Sequence, residues 1–304
     1  RKYLAEVLSQ PYVDYYISQG DLGAARQSAE EGLAIAGPIG ATVAEFQGRM
    51  QLSMIARWQG AYDEALAHLH HVDRSGSAFP APGFRLLPLA MLGGALLEIS
   101  EEFVDQSLAY QEEALKVLED GAKVGFGSLA WEELAFSKLA AGDLEGAEAY
   151  LQTGLETSDS FMYFVRPKLL AGQALLALER GELAQAAERI AAARDFVEER
   201  GMHSHEPLIA LVEGRVSAAA GDSEKALEQF ARAEAQAREM GMRPTMWQAL
   251  ATAAEVLEAH GRGEASPNGE EAEARRREAT AVIGEIAADL ADEAMREAFL
   301  RNSL

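Results

Sequence analysis

The chain has 304 residues, 27 Lys and Arg against 49 Asp and Glu, a formal net charge of −22 at pH 7, and no cysteine. So acidic a surface repels phosphate backbones, and no Lys/Arg block with interleaved aromatics offsets it, which argues against direct nucleic-acid binding. Without cysteine there is no disulfide, thiolate metal site or cysteine nucleophile, and a reducing, cytoplasmic setting fits.

Ala, Leu, Glu, Gln and Arg dominate, and the 48% apolar content is enough for a sizeable core, so helix is favoured over strand. The predicted helices run in chain order as pairs: 3–19 with 22–36, 41–59 with 62–73, 84–99 with 103–119, and 127–141 with 144–157. They continue as 162–180 with 182–200, 205–220 with 222–240, and 244–260 with 270–288, and a helix at 291–301 caps the end. Longer connections are expected at Ser75 to Gly83, which holds Pro80 and Pro82, and at Gly261 to Gly269. The longest apolar run, Leu86 to Leu97 between Arg85 and Glu98, is shorter than the ~18 residues of a membrane span and reads as a buried helix. The start at Arg1-Lys2 lacks an initiator Met and a signal-peptide core, and the chain is expected to be excised from a longer protein.

A repeat organises these pairs. Gly20, Gly60, Gly142, Gly181, Gly221 and Gly261 recur with a period close to forty, and Glu101 falls in step to make seven turns. Five residues after the turn stand Ala25, Ala65, Ala147, Ala186 and Ala226, with Gln106 or Ser107 at the third turn. Seven before it stand Ser53, Gly94, Ala135, Ala174, Gly214 and Ala254. Periodic smallness of this kind marks where paired helices approach most closely.

A small residue, a Gly-Asp-Leu turn and then Ala resemble the tetratricopeptide repeat, lengthened to about forty residues, over nearly the whole chain. The resemblance implies an all-α, right-handed superhelical solenoid of about seven antiparallel hairpins with a C-terminal capping helix, forming one domain over 1–304. Glu199 to Met202, Arg238 to Met242 and the tail Ile286 to Leu300 look like the C-terminal helical arms of bacterial signalling ATPases related to the maltose activator or joined to cyclase domains. No G-x-x-x-x-G-K-[ST] loop is present, so only the arm of such a protein is expected here.

By the same resemblance, the first helix of each pair lines a concave groove. Counting back from the turns places Gln47, Met50, Met54, Arg57, Trp58, Met91, Phe136, Lys168 and Arg215 there as partner-binding residues. Methionine adapts to a ligand's shape, and Trp and Arg are enriched at hot spots. Met50, Met54 and Trp58 can equally be core between neighbouring hairpins. The implied function is a non-enzymatic interaction and sensing arm in bacterial signal transduction or transcriptional regulation. Its partner is expected to be a protein segment with apolar anchors and basic flanks; an effector module holding a small molecule or peptide is the alternative, and self-association is left open.

No catalytic set is expected. His68, His70 and His71 cluster, with Asp73 the nearest further ligand, but they read as exposed polar residues, and His203 and His205 read as helix-start residues. Gly93-Gly94 falls at a packing position, Gly125-Phe126-Gly127 lacks a following Lys-Ser/Thr, and Arg275-Arg276-Arg277 is flanked by Glu273 and Glu278. The only asparagines, Asn268 and Asn302, lie outside the first helices, which argues against a chaperone-carboxylate clamp. No metal or cofactor is expected.

Overall fold

Five of the recurring turns share one backbone geometry. Gly20, Gly60, Gly142, Gly181 and Gly221 have φ of 77°, 71°, 72°, 72° and 80°, a left-handed conformation that a side chain would strain. After each, the next residue donates its N–H to the carbonyl five positions back: Asp21 to Tyr16, Ala61 to Ala56, Asp143 to Lys138, Glu182 to Ala177 and Asp222 to Ser217, at 2.8–2.9 Å. Asp21, Asp143 and Asp222 then cap the following helix by accepting the N–H of Ala24, Gly146 and Lys225 at 2.9, 2.9 and 3.1 Å. At the third turn, which has no glycine, the Ser100 hydroxyl accepts the Glu102 N–H at 3.2 Å and a short 3₁₀ turn, Glu101–Phe103, leads into the next helix.

The computed structural model describes residues 1–76, 83–119, 127–158, 163–260 and 267–303. The expected seventh turn at Gly261, the Pro80 and Pro82 connection, and Gly125-Phe126 lie outside these. Among the described residues every regular element is helical. In order they are α1 (Lys2–Ser9), α2 (Pro11–Ser18), α3 (Leu22–Ile39), α4 (Thr42–Gln59), α5 (Tyr62–Gly76), α6 (Gly83–Ile99), α7 (Val104–Glu119) and α8 (Gly127–Ala140). They continue as α9 (Leu144–Thr157), α10 (Arg166–Glu179), α11 (Leu183–Arg200), α12 (Glu206–Ala219), α13 (Ser223–Met240), α14 (Arg243–His260), α15 (Pro267–Ala288) and α16 (Glu293–Ser303).

One expected helix is broken. Residues 3–19 form α1 and α2 because Pro11, which has no N–H to donate and crowds the preceding turn, starts a new helix; Gln10 between them takes φ −139° and ψ −69°. Short 3₁₀ turns, Tyr163–Val165 and His203–His205, precede α10 and α12, each of which carries a proline in its first turn.

The chain divides into two units, one formed by Arg1–Arg57, Ala61–Arg166 and Gly201–Ser204, the other by Trp58–Gly60, Pro167–Arg200 and His205–Leu304. In the first, α1 and α2 pack on α3, α5 on α6, α6 on α7 and α8 on α9, while α6 also meets α8. In the second, α11 packs on α12, α12 on α13, α13 on α14 and α14 on α15, while α12 also meets α14. Helices that pack on each other across a three-residue turn run antiparallel, so α2 with α3, α8 with α9 and α12 with α13 are helical hairpins.

The small positions lie at these contacts. Ala25, Ala65 and Ala147 in the first unit and Ala186 and Ala226 in the second are wholly buried, and Ser107 fills the third place. Ser53, Ala135, Ala174 and Ala254 are buried too. The apolar run of α6 is core as expected, with Leu86, Leu89, Ala90 and Leu92 at 0–1% exposure. Among the described residues no helix is long and apolar enough to cross a membrane.

Gly214 shows what the spacing demands, because a β-carbon there would lie 2.4 Å from the Phe230 ring. Gly214→Ala is expected to lower stability by about 1–3 kcal/mol, and Gly214→Leu by more. Thermal melting should show the loss, with the exposed Glu224→Gln unchanged.

Candidate functional site

Arg57, on the last turn of α4, makes the most elaborate polar contact in the first unit. Its Nε and Nη2 donate to the two oxygens of Glu98 on α6 at 3.0 and 2.7 Å. Its Nη1 and Nη2 donate to the two oxygens of Glu133 on α8 at 2.6 and 3.1 Å. Arg57 and Glu133 are 5% and 3% exposed, while Glu98 stands at the rim at 35%. Burial opposes the guanidinium charge, but Glu133 and Glu98 outweigh it and hold the Arg57 pKa well above its ordinary value. The absence of a side chain at Gly94 makes room: a β-carbon there would sit 1.9 Å from a Glu133 oxygen and 2.8 Å from Arg57 Nη2. Beside this triad, Gln111 of α7 donates to the Glu133 carbonyl and the Ser137 hydroxyl at 3.2 and 2.6 Å, and the hydroxyls of Ser107 and Ser137 stand 3.1 Å apart.

Two of the residues expected in the groove, Arg57 and Met91, are buried. Arg57 is a buried structural charge, four of whose five N–H donors go to Glu98 and Glu133, and Met91 is 3% exposed within the core. The signal for Arg57 was available, since Arg57 and Glu98 each stand three residues before a turn in consecutive hairpins and carry opposite charges.

Gln47, Met50 and Met54 on α4 remain half-buried. Next to them runs a row of amides and one acid: Gln47 donates to the Gln10 side chain between α1 and α2, and Gln51 donates to Asp14 of α2 at 2.7 Å. The oxygen of the Gln47 amide is buried without a partner. Crowding by the neighbouring helices, offset by the Gln51 and Gln10 amides, pushes the Asp14 carboxyl up to about 6, although more than a third of the residue's area still meets solvent. The same helix exposes Tyr12 and Tyr15, the latter edge-on to Tyr16 with centroids 5.4 Å apart.

The remaining expected residues are spread over both units. Phe136 is half-buried on α8 of the first. In the second, Trp58 stands edge-on to the His205 ring at 6.1 Å, and Lys168 is half-buried on α10. Arg215, half-buried on α12, donates to the Gln248 side-chain oxygen of α14 at 3.4 Å.

The histidine cluster belongs to helix pairing. His71 approaches Glu45 of α4 at 3.2 Å, and His68 lies 3.7 Å from Glu64 and 3.5 Å from Arg49. Among the described residues no three His, Asp or Glu side chains gather where a metal ion could be held. Gly93 and Gly94 are close-approach positions, and Arg275 and Arg276 pair with Glu234, Glu271 and Glu258 across and along helices.

Removing one member of a buried ion triad leaves the others charged and desolvated, so Arg57→Ala is expected to cost about 3–5 kcal/mol, read by denaturant unfolding. For Asp14 the folded pKa lies above the ordinary carboxylate value of 3.8, so its contribution is present below that value and is lost as pH rises through about 6. Solvent screening keeps the stability change small. Carbon-detected NMR should show Asp14 titrating above the other aspartates, and Gln51→Leu, which removes a donor to the charged form, should raise its pKa further.

Compared with known proteins, the chain matches no family model and no curated protein sequence.

Proposed function

We propose that the chain is a tetratricopeptide-like helical solenoid whose first helices hold a protein or peptide segment, and that it does no chemistry of its own. The observation that carries this reading is the strip on α4 formed by Gln47, Met50 and Met54, which hairpin packing leaves half-open while it buries Leu52, Ser53 and Ile55 on the same helix. Thioethers that conform to a partner, amides already arranged in a row, and the exposed Tyr12 and Tyr15 of α2 make a surface of the kind that takes apolar anchors. With a net charge of −22 around it, the favoured segment carries Lys or Arg beside those anchors, and these flanks act mainly on association rate and salt dependence. The resemblance of residues 199–202, 238–242 and 286–300 supports a role as the sensing arm of a bacterial cytoplasmic signalling or regulatory protein.

Photo-crosslinking residues placed singly at Met50 and Met54, and at the exposed Ala67 of α5 and Ala109 of α7, test this. Adducts to one protein from Met50 and Met54 alone are expected, and Met54→Ala should weaken that complex about tenfold without changing the melt. Adducts arising only from Ala67 and Ala109 would overturn the reading.

A further inference from the structure

The chain has nearly two acids for every base, and its half-buried arginines are generally matched to them. Arg57 takes two carboxylates, Arg243 takes Asp289 at 2.7 Å, Arg275 takes Glu234 and Glu271, and Arg194 takes Glu213 at 2.8 Å. Arg215 departs from this pattern, as Arg189 of α11 and Arg296 of α16 also do. Among the described residues no carboxylate stands within ion-pairing distance of Arg215, and its hydrogen bond goes to a neutral amide, Gln248, at a long 3.4 Å. The nearby acid on its own helix, Glu213, is engaged with Arg194 and lies 4.0 Å from Arg232. Desolvation lowers the Arg215 pKa, and Glu255 opposes this from a distance. A partly desolvated guanidinium with unused donors is costly, and the cost is recovered when an acceptor anion arrives.

The location fits such a role. Arg215 stands six residues before its turn glycine, as Met54, Asp14 and Phe136 do before theirs. Gln248 accepts from Arg215 through its oxygen and keeps the two protons of its Nε2 as donors. Glu255 follows Gln248 by seven residues, two turns or about 10 Å along α14, so it favours a ligand with a cationic group at that distance over a bare anion.

We propose that Arg215 and Gln248 form a seat for a carboxylate, carried either by a peptide C-terminus or by a small organic acid. The guanidinium supplies a planar pair of donors and the amide a third, the arrangement that carboxylate oxygens accept best. The seat deepens the binding reading and rests on it only in assigning α12 and α14 to a ligand-facing surface. It also sets Arg215 apart from Arg57: one guanidinium holds helices together and the other waits for a ligand.

The test follows the Nε–Hε resonance of Arg215 in full-length protein labelled with ¹⁵N-arginine, assigned by its loss in Arg215→Gln. The probes are acetate, its neutral counterpart acetamide, sodium chloride, an N-acetylated tripeptide with a free C-terminus, and the same tripeptide amidated. Acetate and the free-acid peptide should shift the resonance saturably, and acetamide, chloride and the amidated peptide should not. Binding of the free-acid peptide about tenfold tighter than acetate assigns the seat to peptide termini, and equal affinities assign it to small acids. Gln248→Leu should weaken both carboxylates, and Glu255→Gln should tighten acetate. Arg215→Met should abolish binding while leaving the melting temperature unchanged or raised, because it removes an uncompensated charge. A resonance that moves no more with carboxylates than with chloride, or a melting loss in Arg215→Met like that of Arg57→Ala, would overturn the seat. Crosslinks confined to α5 and α7 would sink the partner-face reading while leaving these results intact.

Discussion

Hairpin packing depends on how closely two helices can approach, and that distance is set by side chains that are small. Ala25, Ala65, Ala147, Ala186 and Ala226 have no solvent exposure, and Ser53, Gly94, Ala135, Ala174, Gly214 and Ala254 are buried as well. The left-handed glycines, with a capping aspartate at three of the turns, only reverse the chain; small residues let the reversed helices stay in contact. At Gly94 the same smallness serves a second purpose. It opens the space in which Arg57 and Glu133 meet, so the spacing rule that pairs α6 with its neighbours also locates the first unit's buried charges.

Those charges are consistent with the chain's acidity. An excess of carboxylates makes it easy to match a buried guanidinium and hard to justify leaving one unmatched. Arg57 has four hydrogen bonds to two acids across three helices, which fixes the ends of α4, α6 and α8 against one another. A buried pair of this kind adds less to stability than its geometry suggests, because desolvation consumes most of the attraction, but it penalises any other register of the three helices. Arg215 has no such register to enforce.

Most helix boundaries were legible because their causes are local. The turn glycine, the aspartate after it and the alanine five residues on lie within a few positions of one another, so α3 to α16 begin and end within a few residues of the expected limits. The break between α1 and α2 was missed although Pro11 was visible, because the apolar spacing continues through it. The role of Arg57 was missed for a different reason. Its partners lie 41 and 76 residues away; the equal offset of Arg57 and Glu98 from their turns pointed to the first, but helical periodicity within one pair carries no information on Glu133. The contact of Trp58 with His205 belongs to the same class. Met91 stands ten residues before its turn, as the half-buried Met50 does, but the later equivalents Glu132, Ala171 and Leu211 are buried, so the register read from the second pair alone misled.

The two arginines show how a repeated scaffold can acquire function without new elements. Arg57 stands three residues before its turn and is buried, whereas Arg215 stands six before its own and is half-buried; they differ as well in the residue supplied by a neighbouring helix. Where that neighbour offers glutamate, as α6 and α8 do for Arg57, the charge is consumed in holding helices. Where it offers glutamine, as α14 does for Arg215, the geometry of approach survives but the counter-charge is missing. With an amide rather than a carboxylate facing it, the Arg215 guanidinium lacks a counter-charge, and that lack is what the proposed seat draws on.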